Sequence, residues 1–395
     1  MAELYKLDNP VKHYAWGSPD WIPALTGQSN PQALPWAELW MGTHPGGPSK
    51  ITISEKNMLL SDIVTLPFLL KYLAAFTPLS IQAHPNLIQA QEGYERENKA
   101  GIDLAAAERN YKDPNHKPEY VCALTPFTAM AGFREAAETE QLFSFLPDAE
   151  SKKLRSSLKN GHLSLLTALF NLGDGELKTI NSWALKIAET PSEIPIDTNK
   201  ESSLHNSLLL CGKFAQLYPN DPGILSPLYL NVLELAPYQC FYIPAGILHA
   251  YVYGFAMECM ANSDNVLRGG LTPKYIDTNE LFNILSFDPF KPEILEPKEC
   301  YPGCFSYGQR KGADTCTEFS LYLLQSSSGN ITVEMEKPEM GIFTVFNGNA
   351  KISVTQNDTD KTMFLKQGES IFISKRSAGE QLLFNGDFTI FAALG

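Results

Sequence analysis

The sequence predicts a mainly β protein with an α-helical insertion. The prediction rests on three stretches that differ in the spacing of their apolar residues. Residues 1–133 hold short apolar runs bounded by proline and glycine, as expected of strands. Residues 134–222 instead repeat their apolar side chains with the 3.6-residue period of helices. Alternation of apolar and polar residues returns after that stretch and continues to the C-terminus, which again indicates strands.

Length and charge limit the classes of protein to which the chain can belong. A chain of 395 residues is too long for one hydrophobic core, so we expect two or three domains. Its net charge of −13 argues against nucleic acid or an anionic membrane as a partner. The N-terminus lacks the basic start and apolar run of a signal peptide, and no apolar stretch is long enough to span a bilayer. We therefore expect a cytoplasmic protein.

Within the first region, the pattern predicts two strands separated by a helix. Leu79–Gln82 and Tyr120–Leu124 are short apolar runs typical of strands. Ile88–Arg109 is longer and polar, and we interpret it as a helical excursion between those strands.

The helical insertion is expected to pack against its own neighbours, because its apolar residues fall on single helix faces. A helix bundle that binds a partner is the alternative that this pattern leaves open. The apolar stripes are Leu142, Phe143 and Leu146; Leu165, Leu166, Leu169 and Phe170; Ile180, Trp183, Ala184 and Ile187; and Leu208, Leu209 and Phe214.

The last hundred residues are expected to form strands and hairpins. Ile331–Met335 alternates apolar and polar side chains. Asn347-Gly348 and Asn385-Gly386 stand between apolar runs, which is the pattern of two-residue hairpin turns. Prolines crowd the junction before this stretch and indicate a linker, at Pro292, Pro297 and Pro302.

The cysteine pattern favours reduced thiols. The seven cysteines include no Cys-x-x-Cys pair, so neither a disulfide framework nor a zinc ribbon is indicated. Cys300 and Cys304 are close enough in sequence to chelate a metal, but no second cysteine or histidine pair stands nearby to complete such a site.

Four residues with nitrogen or oxygen ligand atoms form the strongest candidate site. Gln82 and His84 are two apart on a predicted strand, so both side chains point to one face. Glu119 ends the segment Tyr111–Glu119, and His249 follows a Pro-Ala-Gly turn. Such a set without thiolate suits a catalytic zinc, and also manganese, iron or cobalt. Each residue alone is more often structural, so the prediction depends on their combination.

The segment that ends at His249 resembles the second metal motif of the cupin superfamily. Glu119 lies far beyond His84, and Tyr238 stands where the general pattern has glycine, so the chain resembles a particular branch. That branch is the type I mannose-6-phosphate isomerases, whose motifs appear in the same order over the first 280 residues. The matching segments are Tyr14–Ser18, Glu38–Pro45, Leu79–Pro85, Tyr111–Glu119 and Asn262–Lys274.

The resemblance implies an enzyme that interconverts mannose 6-phosphate and fructose 6-phosphate through a cis-enediolate, with one zinc ion per chain. Such an activity serves mannose breakdown or the supply of GDP-mannose. The zinc ligands carried over from the family are Gln82, His84, Glu119 and His249.

The resemblance also implies two cupin-type jelly-roll β-barrels and a helical domain. The catalytic barrel would comprise residues 1–133 and 223–295, with the helical domain at 134–222 inserted into it. Residues 296–395 would form the second barrel. Its segment Gln367–Ser374 resembles a cupin motif that has lost its histidine, so we expect no metal there.

Further site residues follow from the matching motifs. Arg268 corresponds to the active-site arginine, and Asp264 belongs to the same motif. His116 is a candidate acid–base group for opening the sugar ring, because the unperturbed pKa of histidine lies near neutrality. Lys117 is a candidate base for the C1/C2 proton, with a purely electrostatic role as the alternative. The positions linked to substrate or phosphate are Ser80, Lys274 and Lys71.

A non-catalytic protein that binds sugar phosphates is the rival from another functional class. Loss of activity should leave a gap among the metal ligands or the pocket cations, and the sequence has none. An epimerase or an iron dioxygenase is the rival among metal enzymes. We expect a monomer whose only partner is a small sugar phosphate, with no nucleic acid and no membrane.

Overall fold

Two large antiparallel sheets, one small two-stranded sheet and a group of helices make up the chain in its computed structural model, which describes residues 1–190, 202–308, 316–333, 339–356, 359–377 and 379–395. The protein is thus mainly β with most of its helices gathered in one stretch, as the sequence pattern predicts. Among the described helices, none has the length and apolar character needed to cross a membrane.

The region before the helical stretch consists mostly of strands. Its elements are β1 (Leu4–Lys6), β2 (Val11–Lys12), α1 (Trp21–Thr26), β3 (Glu38–Gly42), β4 (Lys50–Ile53), β5 (Lys56–Leu59), β6 (Phe68–Ala75), β7 (Ile81–Ala83), α2 (Leu87–Lys99), β8 (Glu119–Ala123) and β9 (Phe127–Phe133), with a 3₁₀ helix at Leu60–Asp62. The predicted excursion at Ile88–Arg109 is therefore helical only in its first half. Gly101, with φ of +73°, lies just beyond the helix end, where a left-handed conformation stops α-helical hydrogen bonding.

The helices that follow lie between two strands that pair with each other. They are α3 (Ala136–Phe143), α4 (Asp148–Leu158), α5 (His162–Phe170), α6 (Asp174–Glu189), α7 (Ser202–Leu217) and α8 (Ser226–Tyr229), with a 3₁₀ helix at Pro222–Leu225, before β10 (Leu230–Leu235). Strand β9 pairs antiparallel with β10, so the helices form an excursion from one sheet edge. Their stripe residues Leu142, Leu165 and Leu208 join one buried cluster with Met130 and Leu248 of the sheet.

The rest of the chain completes the first sheet and builds the second. Its elements are β11 (Cys240–Ile243), β12 (His249–Ala261), β13 (Leu267–Gly270), α9 (Thr278–Ile284), β14 (Lys298–Tyr301), β15 (Cys304–Ser306), β16 (Ser320–Val333), β17 (Gly341–Gln356), β18 (Thr359–Lys366), β19 (Ser370–Ile373) and β20 (Gln381–Leu394). The first sheet contains ten strands around β12, and the second has the order β1-β19-β17-β20-β16-β15-β14, with β18 beside β17.

Strand β12 is the element that shapes the first sheet. Its first residues pair with β7 and β9, whereas Gly254–Ala261 pair with β6 and β8. Between these halves Gly254 has φ of +127°, and a Cβ there would lie 2.6 Å from Phe127 Cδ2. Only glycine fits this bend, which lets one strand serve two ladders facing different ways.

The Asn-Gly pairs do not form the hairpin turns that the sequence predicts. Gly348 lies inside β17 next to a register shift, and Gly386 lies inside β20 opposite Ala350. Their φ angles of +77° and +137° bend long strands that continue beyond them. The prediction was wrong because a bulge and a primed turn both need positive φ, and local sequence does not distinguish them.

The N-terminal strand lies elsewhere than the predicted boundary of 1–133 implies. Strand β1 pairs with β19 of the second sheet, with Tyr5 opposite Phe372. A three-residue apolar–polar run carries no information about which sheet edge it joins, since either edge offers the same backbone hydrogen bonds. The two ends of the chain thus meet in one sheet.

The two sheets share a buried interface. Tyr72 of β6 makes a 3.1 Å hydrogen bond with the Thr344 hydroxyl of β17. Phe319 lies 6.2 Å from the ring of Phe68 and 6.0 Å from that of Tyr120. The second sheet therefore covers one face of the strands that carry the candidate site.

Candidate metal centre and cavity

Three predicted ligands converge in the interior of the first sheet. Nitrogen atoms of His84 and His249 and an oxygen of Glu119 all lie within 4.8 Å of one another, and all three residues are buried. His84 follows β7, Glu119 begins β8 and His249 begins β12. The residue Met260, which pairs with Glu119, lies eleven positions from His249. A straight strand would separate those positions by about 36 Å, so the bend at Gly254 creates the cluster.

The hydrogen bonds around the cluster leave the inward-facing imidazole nitrogens of His84 and His249 available for a metal. His84 Nδ1 is 2.7 Å from the Asn265 carbonyl, and His249 Nδ1 is 2.9 Å from the Ile247 carbonyl. These contacts leave Nε2 of each ring pointing inward, where it is buried and has no hydrogen-bond partner. Buried polar atoms without partners are costly, and a divalent cation would satisfy both. The donor set of two imidazoles and a carboxylate therefore fits zinc.

The electrostatics of the cluster hold the ligands in metal-binding forms. Burial and the positive charge of Lys117 lower the pKa of His84 to about 4, so its imidazole is neutral. Burial opposes ionisation of Glu119, but Lys117 and His84 outweigh it and hold the pKa of Glu119 well below its usual range. Neutral imidazoles and an ionised carboxylate are the forms that coordinate a cation.

The structure brings Gln82 to the same place. In the β7 ladder Gln82 lies opposite His249 on one side and opposite Arg268 on the other. It also lines a cavity of about 760 Å³, whose wall includes Lys117 and Tyr251, both in contact with Glu119. The amide is thus positioned between the histidine of the centre and the arginine of the cavity.

The cavity gathers most of the other predicted site residues. Ser80, Lys117, Asp264, Arg268 and Lys274 all line it. Further lining side chains include Trp16, Trp40, Thr272 and Lys112. A cavity of this size holds a small ligand, and its polar groups converge from several strands and loops.

Three cations in this cavity have no acidic counterpart. Arg268, Lys274 and Lys112 make no ion pair with any residue that the structure describes. Burial, Arg268 and Lys112 together lower the pKa of Lys274, which shows that the three charges affect one another. Uncompensated cations in one cavity of an acidic protein indicate a site for an anion such as a phosphate group.

Lys71 occupies a buried carboxylate network next to the centre. Its ammonium contacts Glu38 Oε1 at 3.1 Å and also forms a shorter contact with Glu258. The Tyr251 hydroxyl lies 2.7 Å from Glu119 Oε2 and 3.0 Å from Glu258 Oε1, so its one proton is within hydrogen-bond distance of both carboxylates. A continuous polar path thus runs from the metal ligand Glu119 to Lys71 in the cavity wall.

Asn265 joins the centre to the segment Tyr111–Glu119. Its backbone carbonyl forms a hydrogen bond with His84 Nδ1. Its side-chain oxygen accepts a hydrogen bond from the Lys112 backbone amide at 2.7 Å. Its side-chain nitrogen donates to the carbonyls of Asp113 and Asn115 at 2.7 and 2.9 Å. One buried side chain therefore holds the loop that delivers Lys117 and Glu119.

His116 is the predicted site residue that the structure does not bring to the cavity. Its Nε2 instead makes a short contact with Glu318 at the start of the second sheet, and this contact lowers the pKa of Glu318 to about 2. The expectation that His116 opens the sugar ring rests on the ordinary pKa of histidine and on the matching motif, and it stays a prediction.

Sequence reasoning missed Tyr251, Glu258 and Asn265, although the first two had a signal. Tyr251 is two residues after His249 on one strand and therefore shares its face. Glu258 is a charged residue inside the apolar run of β12, where burial of a carboxylate demands a partner. Asn265 belongs to the motif Asn262–Lys274 but carries no chemistry that would single it out.

Fold and site together define a metal-binding β protein whose centre lies beside an anion-binding cavity. The family model for the catalytic domain of type I phosphomannose isomerases matches residues 4–136. The mannose-6-phosphate isomerase of Shigella flexneri is 43% identical, over 94% of this chain and 95% of its own length. The human mannose-6-phosphate isomerase is 34% identical over 72% of this chain and 74% of its own length.

Solved structures agree with these relatives. Phosphomannose isomerase from Salmonella typhimurium, bound to fructose 6-phosphate and zinc, superposes with a TM-score of 0.84 at 33% identity and covers 99% of this chain and 98% of that one. A zinc-bound mannose 6-phosphate isomerase gives a TM-score of 0.81 at 34% identity, with the same coverage. The chain belongs to the mannose-6-phosphate isomerase family.

Proposed function

We propose that this chain is a zinc-dependent aldose–ketose isomerase that interconverts mannose 6-phosphate and fructose 6-phosphate. The observation that carries the proposal is the His84–Glu119–His249 cluster beside a cavity with three cations that have no ion-pair partner among the described residues. A metal centre supplies charge stabilisation at the reacting carbons, and the cations supply a place for the phosphate. Relatives with this activity extend over nearly the whole chain.

The chemistry requires a proton to move between C1 and C2 while negative charge develops on the sugar oxygens. Bound zinc would polarise those oxygens as a Lewis acid, with Gln82, His84, Glu119 and His249 as its ligands. Arg268 adds a positive charge that persists at every working pH. These residues together would stabilise a cis-enediolate.

Lys117 and Asp264 are the proposed proton-handling groups of the cavity. Lys117 Nζ lies 2.8 Å from Glu119 Oε1 and is buried beside the centre. Asp264 is about half exposed, with its carboxylate 3.6 Å from His44. If Lys117 removes the proton, Lys117→Met should lower kcat by about a hundredfold or more. Near-normal turnover of that variant would leave Lys117 an electrostatic role only.

The phosphate is proposed to bind within the cavity, at a part of the lining other than Lys71. Arg268 and Lys274 are its charged partners and Ser80 a hydroxyl donor. A planar guanidinium and a compact ammonium both suit phosphate oxygens. Lys71, tied to two carboxylates, is better suited to a sugar hydroxyl than to the phosphate.

We also infer the finer layout of the fold. The first sheet would be a cupin-type jelly-roll barrel formed by residues up to 133 and 223–295, with the helices at 134–222 as an inserted domain. Residues 296–395, joined by β1, would be a second jelly-roll without metal. The bend of β12 and the two-sided pairing of this strand support the first barrel. A monomer in the cytoplasm is the corresponding proposal for the chain as a whole.

Isomerase activity before and after chelation tests the proposed function. The chain is assayed on mannose 6-phosphate by the fructose 6-phosphate formed, then treated with chelator, then supplied with zinc. Activity should disappear with the chelator and return with zinc. A folded, zinc-loaded chain without turnover would contradict the proposal and favour a protein that only binds sugar phosphates.

A further inference from the structure

Two cysteine side chains meet on an edge hairpin of the second sheet. Cys300 of β14 and Cys304 of β15 have their sulfur atoms 3.7 Å apart. The Cys300 thiol also donates to the Cys304 carbonyl at 3.2 Å. Neither residue lines the cavity of the candidate isomerase site.

The backbone of the hairpin causes this approach. Lys298 and Glu299 pair regularly with β15, but the register then shifts so that Tyr301 lies opposite Cys304. Cys300 is thus the extra residue of a β-bulge, which turns its side chain toward the opposing residue. Glu299 Oε1 accepts from the Gly303 amide at 2.9 Å and closes the turn. The bulge and the turn therefore hold the backbones of the two cysteines next to each other.

The two thiols differ in access to solvent. Of the seven cysteines, all of which lie in the described residues, Cys300 alone is exposed, and Cys304 is buried beneath it. Burial and the neighbouring Cys300 raise the pKa of Cys304, so its thiol stays protonated at neutral pH. An exposed thiol next to a protected one is the arrangement of an attacking and a resolving cysteine.

We propose that Cys300 and Cys304 form a redox site at which low-molecular-weight disulfides convert the dithiol into an intramolecular disulfide. The Cys300 thiolate attacks one sulfur of oxidised glutathione, whose sulfur–sulfur bond breaks and releases one glutathione thiolate. Cys304 then gives its proton to solvent and attacks the Cys300 sulfur, and the second glutathione thiolate leaves. Two protein thiols lose two electrons, and one glutathione disulfide becomes two thiols.

The product would fasten β14 to β15 next to the junction between the two sheets. Leu295, just before β14, exchanges backbone hydrogen bonds of 3.0 and 2.7 Å with Cys240 of the first sheet. Strands β14 and β15 then continue into the edge of the second sheet. A disulfide across the turn would limit opening of this exposed edge, whose residues Lys298–Tyr301 are otherwise held by β15 alone among the described strands.

Mass spectrometry of the zinc-loaded full chain tests the proposal. The protein is equilibrated with reduced and oxidised glutathione at several ratios, quenched with acid and alkylated. Trypsin cuts after Lys298 and Arg310, so both cysteines fall on one peptide. In oxidising mixtures that peptide should lose two hydrogens and take up no alkyl group. The disulfide should exceed the glutathione adduct by more than about tenfold, because the second thiol is already in place.

Single variants separate the two steps. Cys304→Ala should stop at one glutathione adduct on Cys300, whereas Cys300→Ala should leave Cys304 free for the alkylating reagent. Two outcomes in glutathione mixtures that give the Cys300 adduct in Cys304→Ala would contradict the proposal. In one, wild type keeps the same glutathione adduct and forms no disulfide. In the other, both wild-type thiols still react with the alkylating reagent. Should the buried Cys304→Ala variant fail to fold, a time course on wild type decides, since the adduct must precede the disulfide. None of these readouts depends on isomerase activity.

Discussion

Tyr251 joins two buried carboxylates, of which one is a metal ligand and the other holds a lysine. Burial and Glu119 raise the pKa of Tyr251 well above its usual range, so the phenol remains a hydrogen-bond donor. Its hydroxyl contacts Glu119 and Glu258 at 2.7 and 3.0 Å. At the scale of one residue, the orientation of a ligand thus depends on a neighbour that does not touch the metal.

Removing that hydroxyl should weaken metal retention. In Tyr251→Phe the Glu119 carboxylate loses its donor, and we expect zinc to be released to a colorimetric chelator about tenfold faster. Tyr253→Phe is the matched control, because Tyr253 lies on the same strand but is 40% exposed. Equal release rates for wild type and Tyr251→Phe would show that the phenol does not position the ligand.

Lys112 is a second residue whose role depends on its surroundings. It lines the cavity and contributes, after Arg268, to the lowered pKa of Lys274. We expect Lys112→Met to raise the KM for mannose 6-phosphate about tenfold, equivalent to about 1.4 kcal/mol, with little change in kcat. Lys99→Met removes the same charge from a side chain that is 81% exposed on α2 and should leave KM unchanged. A similar KM in both variants would remove Lys112 from the anion site.

Glycines inside long strands decide the geometry of the second sheet at the scale of an element. A Cβ on Gly348 would lie 2.0 Å from the Asp387 carbonyl oxygen, and the residue has φ of +77°. Any side chain at position 348 must therefore displace the backbone of β20, in addition to adopting a strained φ angle.

Gly348→Ala should accordingly lower the free energy of unfolding by about 3 kcal/mol or more. Gly161→Ala is the control, because Gly161 also has a positive φ, of +92°, but has open space where the Cβ would be. That variant should lose only about 1 kcal/mol. Thermal unfolding measures both, and equal losses would mean that the close approach across the bulge is unimportant.

The junction between the helices and the first sheet carries a buried histidine. The ring of His162 stacks on Phe133 at 4.6 Å, and its Nδ1 contacts the Phe287 carbonyl at 3.0 Å. Burial lowers the pKa of His162 below 6.5, although the facing carboxylates of Glu135 and Asp288 oppose this shift. The folded chain therefore keeps His162 neutral in a range where the unfolded chain binds a proton.

Stability should fall in acid partly through this residue. The contribution of His162 is fully present above the unfolded pKa of about 6.5 and is lost as the pH falls through the folded value. Between about pH 7.5 and about pH 5, the thermal midpoint should drop further in wild type than in His162→Gln. Parallel pH curves for the two proteins would assign the acid sensitivity to other groups.

At the scale of the whole molecule, the second sheet completes the core of the first. Phe319 packs on Phe68 and Tyr120, and Tyr238 lies 6.5 Å from the ring of Phe391. His116, within the segment that delivers Lys117 and Glu119, also contacts Glu318 at the start of the second sheet. The C-terminal part thus supports the site without contributing a ligand among the described residues.

A chain that ends at Pro297 should not fold. It would expose several aromatic side chains, each worth about 3 kcal/mol when buried, and would leave β1 without its partner β19. We expect aggregation on gel filtration and the loss of near-ultraviolet circular dichroism, with or without zinc. A monodisperse, zinc-binding fragment would show that the first sheet is independent of the second.

The sequence by itself determined which residues are candidates for the chemistry of this protein. It predicted Gln82, His84, Glu119 and His249 as ligands and Arg268 and Lys274 as site cations, because side-chain type and motif spacing carry that information, and the fold groups His84, Glu119 and His249. The change from strand to helix near residue 134 was likewise readable, since apolar periodicity is a local property.

Only the tertiary structure decided which residues contact each other and which strands pair. Proximity in sequence placed His116 with Lys117, but the fold pairs His116 with Glu318. The same local signal that marks a hairpin turn at Asn347-Gly348 marks a bulge inside β17. Strand β1 joins the far sheet, and Tyr251 reaches Glu119 only because β12 bends at Gly254. Contacts between distant segments depend on how the whole chain packs, and no local pattern encodes them.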